Sequence, residues 1–280
     1  MELSQLKPQL IWKNFSALNS VPRPSKKEEK VIEFIKKFGE NLGLETTVDE
    51  VGNVIIKKPA TKGMEDRKAV VLQSHLDMVC QKNSDIEFDF EAQGIQMEVD
   101  GDWVKAKGTT LGADNGIGVA SIMSVLESND IAHPALEALF TIDEETGMTG
   151  AIGLKPGQLQ GEILLNLDTE EDDEIDIGCA GGIDVTASQT YNVESAKGQT
   201  VKITVKGLQG GHSGMDSQKG FGNANVILGR LLYHGIENQN IQLISIDGGG
   251  LRNAIPREGN AVVSVRNSVE FIEAAWRLRA

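Results

Sequence analysis

AVVLQSHLD, residues 69–77, is the stretch whose reading decides the fold. Its apolar start, with two adjacent valines, predicts a short buried strand that runs directly into His75. Residues two apart on a strand point the same way, so Asp77 can sit beside His75 and orient its ring. The same order of strand and then acid recurs twice. Residues 135–142 predict a strand ending in Asp143, Glu144 and Glu145, and residues 162–167 predict one ending in Asp168. Between them lie a strand at 103–106, a glycine-rich turn at 112–118 carrying Asp114, and a helix at 117–126. Residues 147–153 begin a turn or helix. Strands alternating with helices to about residue 180 predict an α/β layer with a largely parallel or mixed sheet. In such sheets ligands bind at the carboxyl ends of the strands, which is where these acids fall.

Working outward, residues 1–19 read as helical and stop before Pro22-Arg23-Pro24. Ser25 and Glu28 have the spacing of a capping box. They would open an amphipathic helix with Val31, Phe34, Ile35, Phe38 and Leu42 on one face, stopped by Gly43. Residues 46–56 read as strand, with Gly52-Asn53 as a hairpin turn. Beyond Gly178 the texture changes. A strand at 201–205, a glycine-rich loop at 207–214, a helix at 224–232, strands at 241–246 and 261–265, and a helix at 269–278 give a β-α-β-β-α order. That order fits a compact α+β sandwich. The boundary is expected near residue 184, dividing the chain into 1–184 and 185–280.

Bulk properties narrow the function. The chain has 280 residues, 40% apolar and 24% charged, which suits one large domain or two ordinary ones. A net charge of −14 repels phosphate backbones and argues against nucleic acid as a partner. No run reaches the roughly 18 apolar residues needed to span a bilayer, so no membrane partner is expected. Residues 1–18 show no secretory pattern, and Cys80 and Cys179 lack CxxC spacing. Both features favour a reduced, cytoplasmic pair of thiols.

Taken singly, each acidic position has an ordinary reading. His75 could be a satisfied core histidine, Asp114 a helix N-cap, Glu144-Glu145 a solvated strand end, and Asp168 the start of a solvated acidic loop running to Asp176. Four such segments in order point elsewhere. Two adjacent glutamates at the end of an apolar run are costly to bury unless metal or protons neutralise them. One can then ligate while the other serves as general base, and a carboxylate such as Asp114 can bridge two cations. Carboxylate oxygens mixed with imidazole suit Zn²⁺, with Mn²⁺ or Co²⁺ as alternatives.

At these residues the chain resembles the M20 family of metallopeptidases, and most of all its aminoacyl-histidine dipeptidase branch. The matching stretches are SHLDMV (74–79), GTTLGADNGIG (108–118), FTIDEETGMTGA (140–151) and LLNLDTEE (164–171). GGHSGMD (210–216), GNAN (222–225) and RNAIPRE (252–258) match as well. The resemblance implies a two-zinc catalytic domain with an inserted α+β lid domain, acting on dipeptides, Xaa-His among them. His75 and Asp168 would ligate one zinc, Glu145 the other, and Asp114 both, through a cis peptide to Asn115. Asp77 would stand behind His75, and Glu144 would be the general base and acid. His212 in the lid would polarise the scissile carbonyl, and Asn253 would help hold substrate. A homodimer through the lid domain is also implied. His133 and His234 match no site motif and are read as structural.

The family completes the second metal site with a late histidine, whereas this chain's four histidines are His75, His133, His212 and His234. The expectation is therefore a piece of a longer enzyme, both domains incomplete, with little activity alone. Two rivals stay open. One is a related aminopeptidase, tripeptidase or deacylase on the same scaffold, and the other is a non-catalytic metal-binding or dimerising protein.

Overall fold

Alternating apolar positions place the strands, and helical spacing places the layer that covers them. In the computed structural model, which describes residues 3–169, 174–178, 183 and 185–277, α1 (Gln9–Asn19) and α2 (Glu29–Asn41) precede three strands. These are β1 (Glu45–Val48), β2 (Val54–Lys58) and β3 (Val70–His75). A small antiparallel hairpin, β4 (Met97–Asp100) and β5 (Trp103–Ala106), leads to α3 (Ala113–Glu127) and β6 (Leu136–Thr141). A short helix, α4 (Thr149–Gly153), and β7 (Ile163–Asn166) follow. The five-stranded sheet has the order β1-β2-β6-β3-β7. β1 and β2 are antiparallel, as are β2 and β6, while β3 runs parallel to both β6 and β7. The sheet is thus mixed, and the three strands that precede the acids are its parallel part.

Alternation along the strands sorts their side chains to two faces. Val54 and Ile56 of β2 and Ala138 and Phe140 of β6 pack with Val31 and Ile35 of α2 and with Val119, Ile122 and Met123 of α3. On the other face Ile55, Val71 and Leu139 pack with Leu154 and Leu159. Each fully buried aliphatic side chain contributes about 1.5–3 kcal/mol. Both faces of β6 are covered, so its position between β2 and β3 is held from two sides.

Several sequence expectations change here. The first helix begins at Gln9, after Pro8, and only a short 3-10 turn, Leu3–Gln5, precedes it. The turn between β1 and β2 is longer than Gly52-Asn53: Asp49 Oδ1 accepts the amides of Val51, Gly52 and Asn53, which shapes the loop around one carboxylate. Ser25 and Glu28 form no capping box. α2 starts at Glu29, without a side-chain cap, and both side chains turn toward the site described below.

Contacts divide the chain into Met1–Cys179 and Ala180–Ala280. The residue expected at the boundary, 184, lies outside the described residues, as do Cys179 and the acids at 170–173. The second unit has β8 (Gln199–Val205), α5 (Ala224–Gln239), β9 (Gln242–Gly248), β10 (Gly259–Val265) and α6 (Ser268–Arg277), the β-α-β-β-α order expected. Its sheet is antiparallel, ordered β8-β10-β9. Leu228 and Leu232 of α5 and Phe271 of α6 pack on Ala261, Val263 and Val265 of β10. Asn223 caps α5 by accepting the amides of Asn225 and Val226.

Candidate active site

The parallel strands β6, β3 and β7 all end on the same edge of the sheet. His75 is the last residue of β3 and is fully buried. Its Nδ1 lies 3.3 Å from Asp77 Oδ1 and 3.1 Å from the Asp77 carbonyl oxygen. Its Nε2 faces three carboxylates, with Asp114 Oδ1 at 3.1 Å, Asp168 Oδ1 at 3.8 Å and Glu144 Oε2 at 3.9 Å. Burial alone would lower the imidazole pKa, but the hydrogen bonds the ring donates to Asp114 and Asp77 outweigh it and hold the ring protonated, with a pKa of about 10.

Asp114 enters through a break in helical geometry. Gly112 precedes α3 in the left-handed region with φ 71°, and Asp114 and Asn115 depart from helical angles across a cis peptide bond. Gly112 is required for two reasons: its φ, and the Arg23 guanidinium filling the space where a Cβ would point. The helix is capped at Gly112 without a side-chain bond, so Asp114 is freed from the N-cap role. Asn115 is buried and donates from Nδ2 to the Leu167 carbonyl at 2.9 Å and to Asp168 Oδ1 at 3.0 Å. One asparagine therefore ties the α3 turn to the acid after β7.

Glu144 and Glu145 follow β6. Their backbone amides donate to the two oxygens of Asp77, at 3.0 Å to Oδ1 and 3.2 Å to Oδ2. Asp77 thus holds both the imidazole and the glutamate turn, while its own pKa is lowered: burial would raise it, and the bonds from His75 and Ser25 overcome that. Glu145 is pushed up to about 7 by burial and then by the Asp114 charge. Asp168 is pushed up to about 6 by burial and by Asp114 and Glu144, against the opposing pull of His75.

Among the described residues, three groups of donor atoms come within 4.8 Å of one another: His75, Asp114 and Glu145; His75, Glu144 and Asp168; and the buried set Glu28, Asp77 and Asp143. The first unit thus brings together His75, Asp77, Asp114, Glu144, Glu145 and Asp168. Glu144 also lies within reach of His75 and Asp168, beside the residues that the resemblance implies as ligands. The donor set fits a divalent cation: the raised carboxylates mark negative charge that protons now balance, and oxygen donors with one imidazole suit Zn²⁺, Mn²⁺ or Co²⁺.

Sequence reasoning missed the residues that hold this set from behind. Arg23 is 2% exposed and donates to the carbonyls of Leu76, Asp77 and Gly112 and to Asn19 Oδ1. Ser25 Oγ donates to Asp77 Oδ2 at 2.7 Å. Arg23 showed in the sequence only within Pro22-Arg23-Pro24, which reads as punctuation, and Ser25 only as half of a capping box. His133 is buried at the opposite, amino end of β6, its Nδ1 against the Pro134 carbonyl, in keeping with a structural role. His234 lies on α5, where its carbonyl accepts from Asn238.

In the second unit, His212 and Asn253 lie on neighbouring loops, joined by the Ser213 amide donating to the Asn253 carbonyl at 2.9 Å. His212 is exposed, and its Nδ1 accepts the amides of Gly214 and Met215, each at 3.2 Å. In the neutral ring the proton therefore sits on Nε2.

Residues 194–277 match the peptidase dimerisation domain of the M20 family. The chain is 51% identical over 266 residues to the cytosol non-specific dipeptidase of Escherichia coli K12, covering 94% of this chain and 55% of that protein. The crystal structure of aminoacylhistidine dipeptidase from Vibrio alginolyticus superposes with a TM-score of 0.64 at 45% identity, over 99% of this chain and 58% of that one. Aminopeptidase PepT from Bacillus cereus shares the fold, with a TM-score of 0.51 at 19% identity over 96% of this chain and 71% of that one. The chain spans about half the length of the curated relatives it matches, 55% and 52%. By sequence and by fold, the chain belongs to the M20 peptidase family.

Proposed function

We propose that the first unit carries a divalent-metal centre for hydrolysis of dipeptides, Xaa-His among them. The observation that carries this reading is the convergence of one buried imidazole and four carboxylates at the ends of three adjacent parallel strands. His75, Asp114, Glu145 and Asp168 would hold the cations, two per complete site. When bound, they supply Lewis acidity to the carbonyl and to the attacking water. Zinc is the first choice, with Mn²⁺ or Co²⁺ as alternatives.

Glu144 takes a proton from the attacking water at Oε2 and passes it to the leaving amine. Asp77 fixes the His75 tautomer through Nδ1 and holds the backbone of the base. His212, with its proton on Nε2, donates to the carbonyl oxygen as charge develops there, and Asn253 helps hold the substrate. The relative named a cytosolic enzyme supports a cytoplasmic setting.

Metal titration and hydrolysis test this reading together. Calorimetry with Zn²⁺ or Mn²⁺ is expected to show binding that His75→Ala abolishes. The chain alone is expected to hydrolyse an Xaa-His dipeptide weakly, and that residual kcat is expected to fall about 10²- to 10⁴-fold for Glu144→Gln. Hydrolysis indifferent to both substitutions would sink the assignment.

The second unit is proposed to pair two copies of the chain. Its match to a dimerisation domain supports this, as do the exposed Leu243, Ile244 and Ile246 of β9, an edge strand. Sedimentation equilibrium is expected to give a dimer that Ile244→Lys dissociates. An unchanged mass for that variant would place the interface elsewhere.

A further inference from the structure

We propose that Glu28 is a positioning residue for the Asp143-Glu144-Glu145 turn, using a carboxylate that the sequence presents as a helix cap. Three consecutive backbone amides leave the end of β6, and each ends on a buried carboxylate oxygen. Asp143 N donates to Glu28 Oε1 at 3.1 Å, Glu144 N to Asp77 Oδ1 at 3.0 Å, and Glu145 N to Asp77 Oδ2 at 3.2 Å. Glu28 Oε1 also accepts the Lys26 amide at 2.9 Å. The two residues whose amides meet on this oxygen are both non-glycine residues in the left-handed region, with φ 66° at Lys26 and φ 50° at Asp143.

Such a conformation is disfavoured for a residue with a Cβ and persists where surrounding contacts enforce it. Hydrogen bonds from amides to a carboxylate are among the stronger ones available for that purpose. Asp143 completes the arrangement from its own side chain, which accepts from the hydroxyls of Thr146 and Thr149 beyond the turn. Glu28 is 4% exposed, so its carboxylate is not a solvated charge. Ser25, three residues earlier, bonds the other carboxylate of the pair, Asp77. Segment 25–28 therefore acts on the glutamates through two separate oxygen sets, and Glu28 governs the first amide of the three.

The functional consequence rests on reading Glu144 as base and Glu145 as ligand, but the positioning itself is testable without it. Amide hydrogen exchange on the full 280-residue chain compares wild type, Glu28→Gln and Glu28→Leu. Glu28→Gln keeps an accepting oxygen and is expected to retain wild-type protection. Glu28→Leu is expected to exchange at least about tenfold faster at 143–145, with β6 amides at 137–140 unchanged. Mn²⁺ alone is the second probe, and its affinity is expected to fall about 10- to 100-fold in Glu28→Leu and to be kept in Glu28→Gln.

Should Glu28→Leu fail to fold, Glu28→Asp, one methylene too short to reach both amides, takes its place. Unchanged exchange at 143–145, a loss spread evenly through β6, or failure of Gln to restore protection each overturns the proposal. A wild-type chain that binds no Mn²⁺ overturns the metal reading instead, while the exchange comparison still decides the role of Glu28.

Discussion

Arg23→Leu is expected to destabilise the first unit by about 3–5 kcal/mol, the range for removing one partner from a buried charged network. Four acceptors lose their donor at once: the carbonyls of Leu76, Asp77 and Gly112, and Asn19 Oδ1. Burial lowers the guanidinium pKa to about 10, against the opposing charges of Asp77 and Asp114, so it remains a cation at neutral pH. It is the positive charge behind an acidic site, and it joins the His75–Asp77 segment to the turn that carries Asp114. Arg23→Lys keeps a charge but not the forked set of donors, and it should recover only part of the loss. Urea unfolding of the chelator-treated protein, followed by the fluorescence of Trp12 on α1 in a chain whose Trp103 and Trp276 are replaced by Phe, measures both variants. A loss under about 1 kcal/mol for Arg23→Leu would show that the carbonyls find other donors and that the guanidinium is not the fastener.

How much of this was legible beforehand divides along a physical line. The sheet was legible because each parallel strand is a short apolar run ending in a polar group, as in residues 69–75 and 135–142. Those strands stop at Thr141 and Asn166, two residues before the first of their acids, because the acids sit on the turns that leave the sheet. Helix ends were less legible. α5 continues to Gln239, past the expected end at Leu232, since its later turns still carry a buried residue, Gly235, under Ile241 and Phe271.

The acids and the histidine gathered at the sheet edge were visible as residue types; the supporting side chains were not. Ser25 and Glu28 have the spacing of a capping box, and local sequence offers no reason to send them elsewhere. Only the tertiary approach of residues 77 and 143 gives them better partners than the first turn of α2. Asn115 is a similar case: its bond to Asp168 spans 53 positions in sequence. Long-range hydrogen bonds of this kind leave no periodicity, so one sequence exposes the candidate ligands by residue type and hides what orients them.

The metal-free protein should be more stable at pH 5 than at pH 8, and saturating Zn²⁺ or Mn²⁺ should reverse that order. The sign follows from which state holds more protons. Glu145 is raised from 4.5 to about 7 and Asp168 from 3.8 to about 6, so the folded chain binds more protons than the unfolded one between those values. Stability is then highest at the acid end of that window and is lost as pH rises through 6 and 7. His75, raised from 6.5 to about 10, acts in the same direction at higher pH: its contribution is full below about 6.5 and is lost on approach to 10. Asp77, held low, opposes only in strong acid, where its contribution disappears as pH falls below the ordinary carboxylate range. The fall from pH 5 to 8 is expected to be about 2 kcal/mol once solvent screening of the partly open carboxylates is discounted. A bound cation replaces these protons, so raising the pH strengthens binding, and a metal at 1,000 times its Kd adds about 4 kcal/mol. Thermal unfolding at pH 5 and 8, each with chelator and with excess Mn²⁺, gives the four values needed. A metal-free melting temperature that rises from pH 5 to 8 would mean that the carboxylates are relieved by something other than protons. A Mn²⁺ increment equal at both pH values would mean that the ion binds away from Glu145 and Asp168.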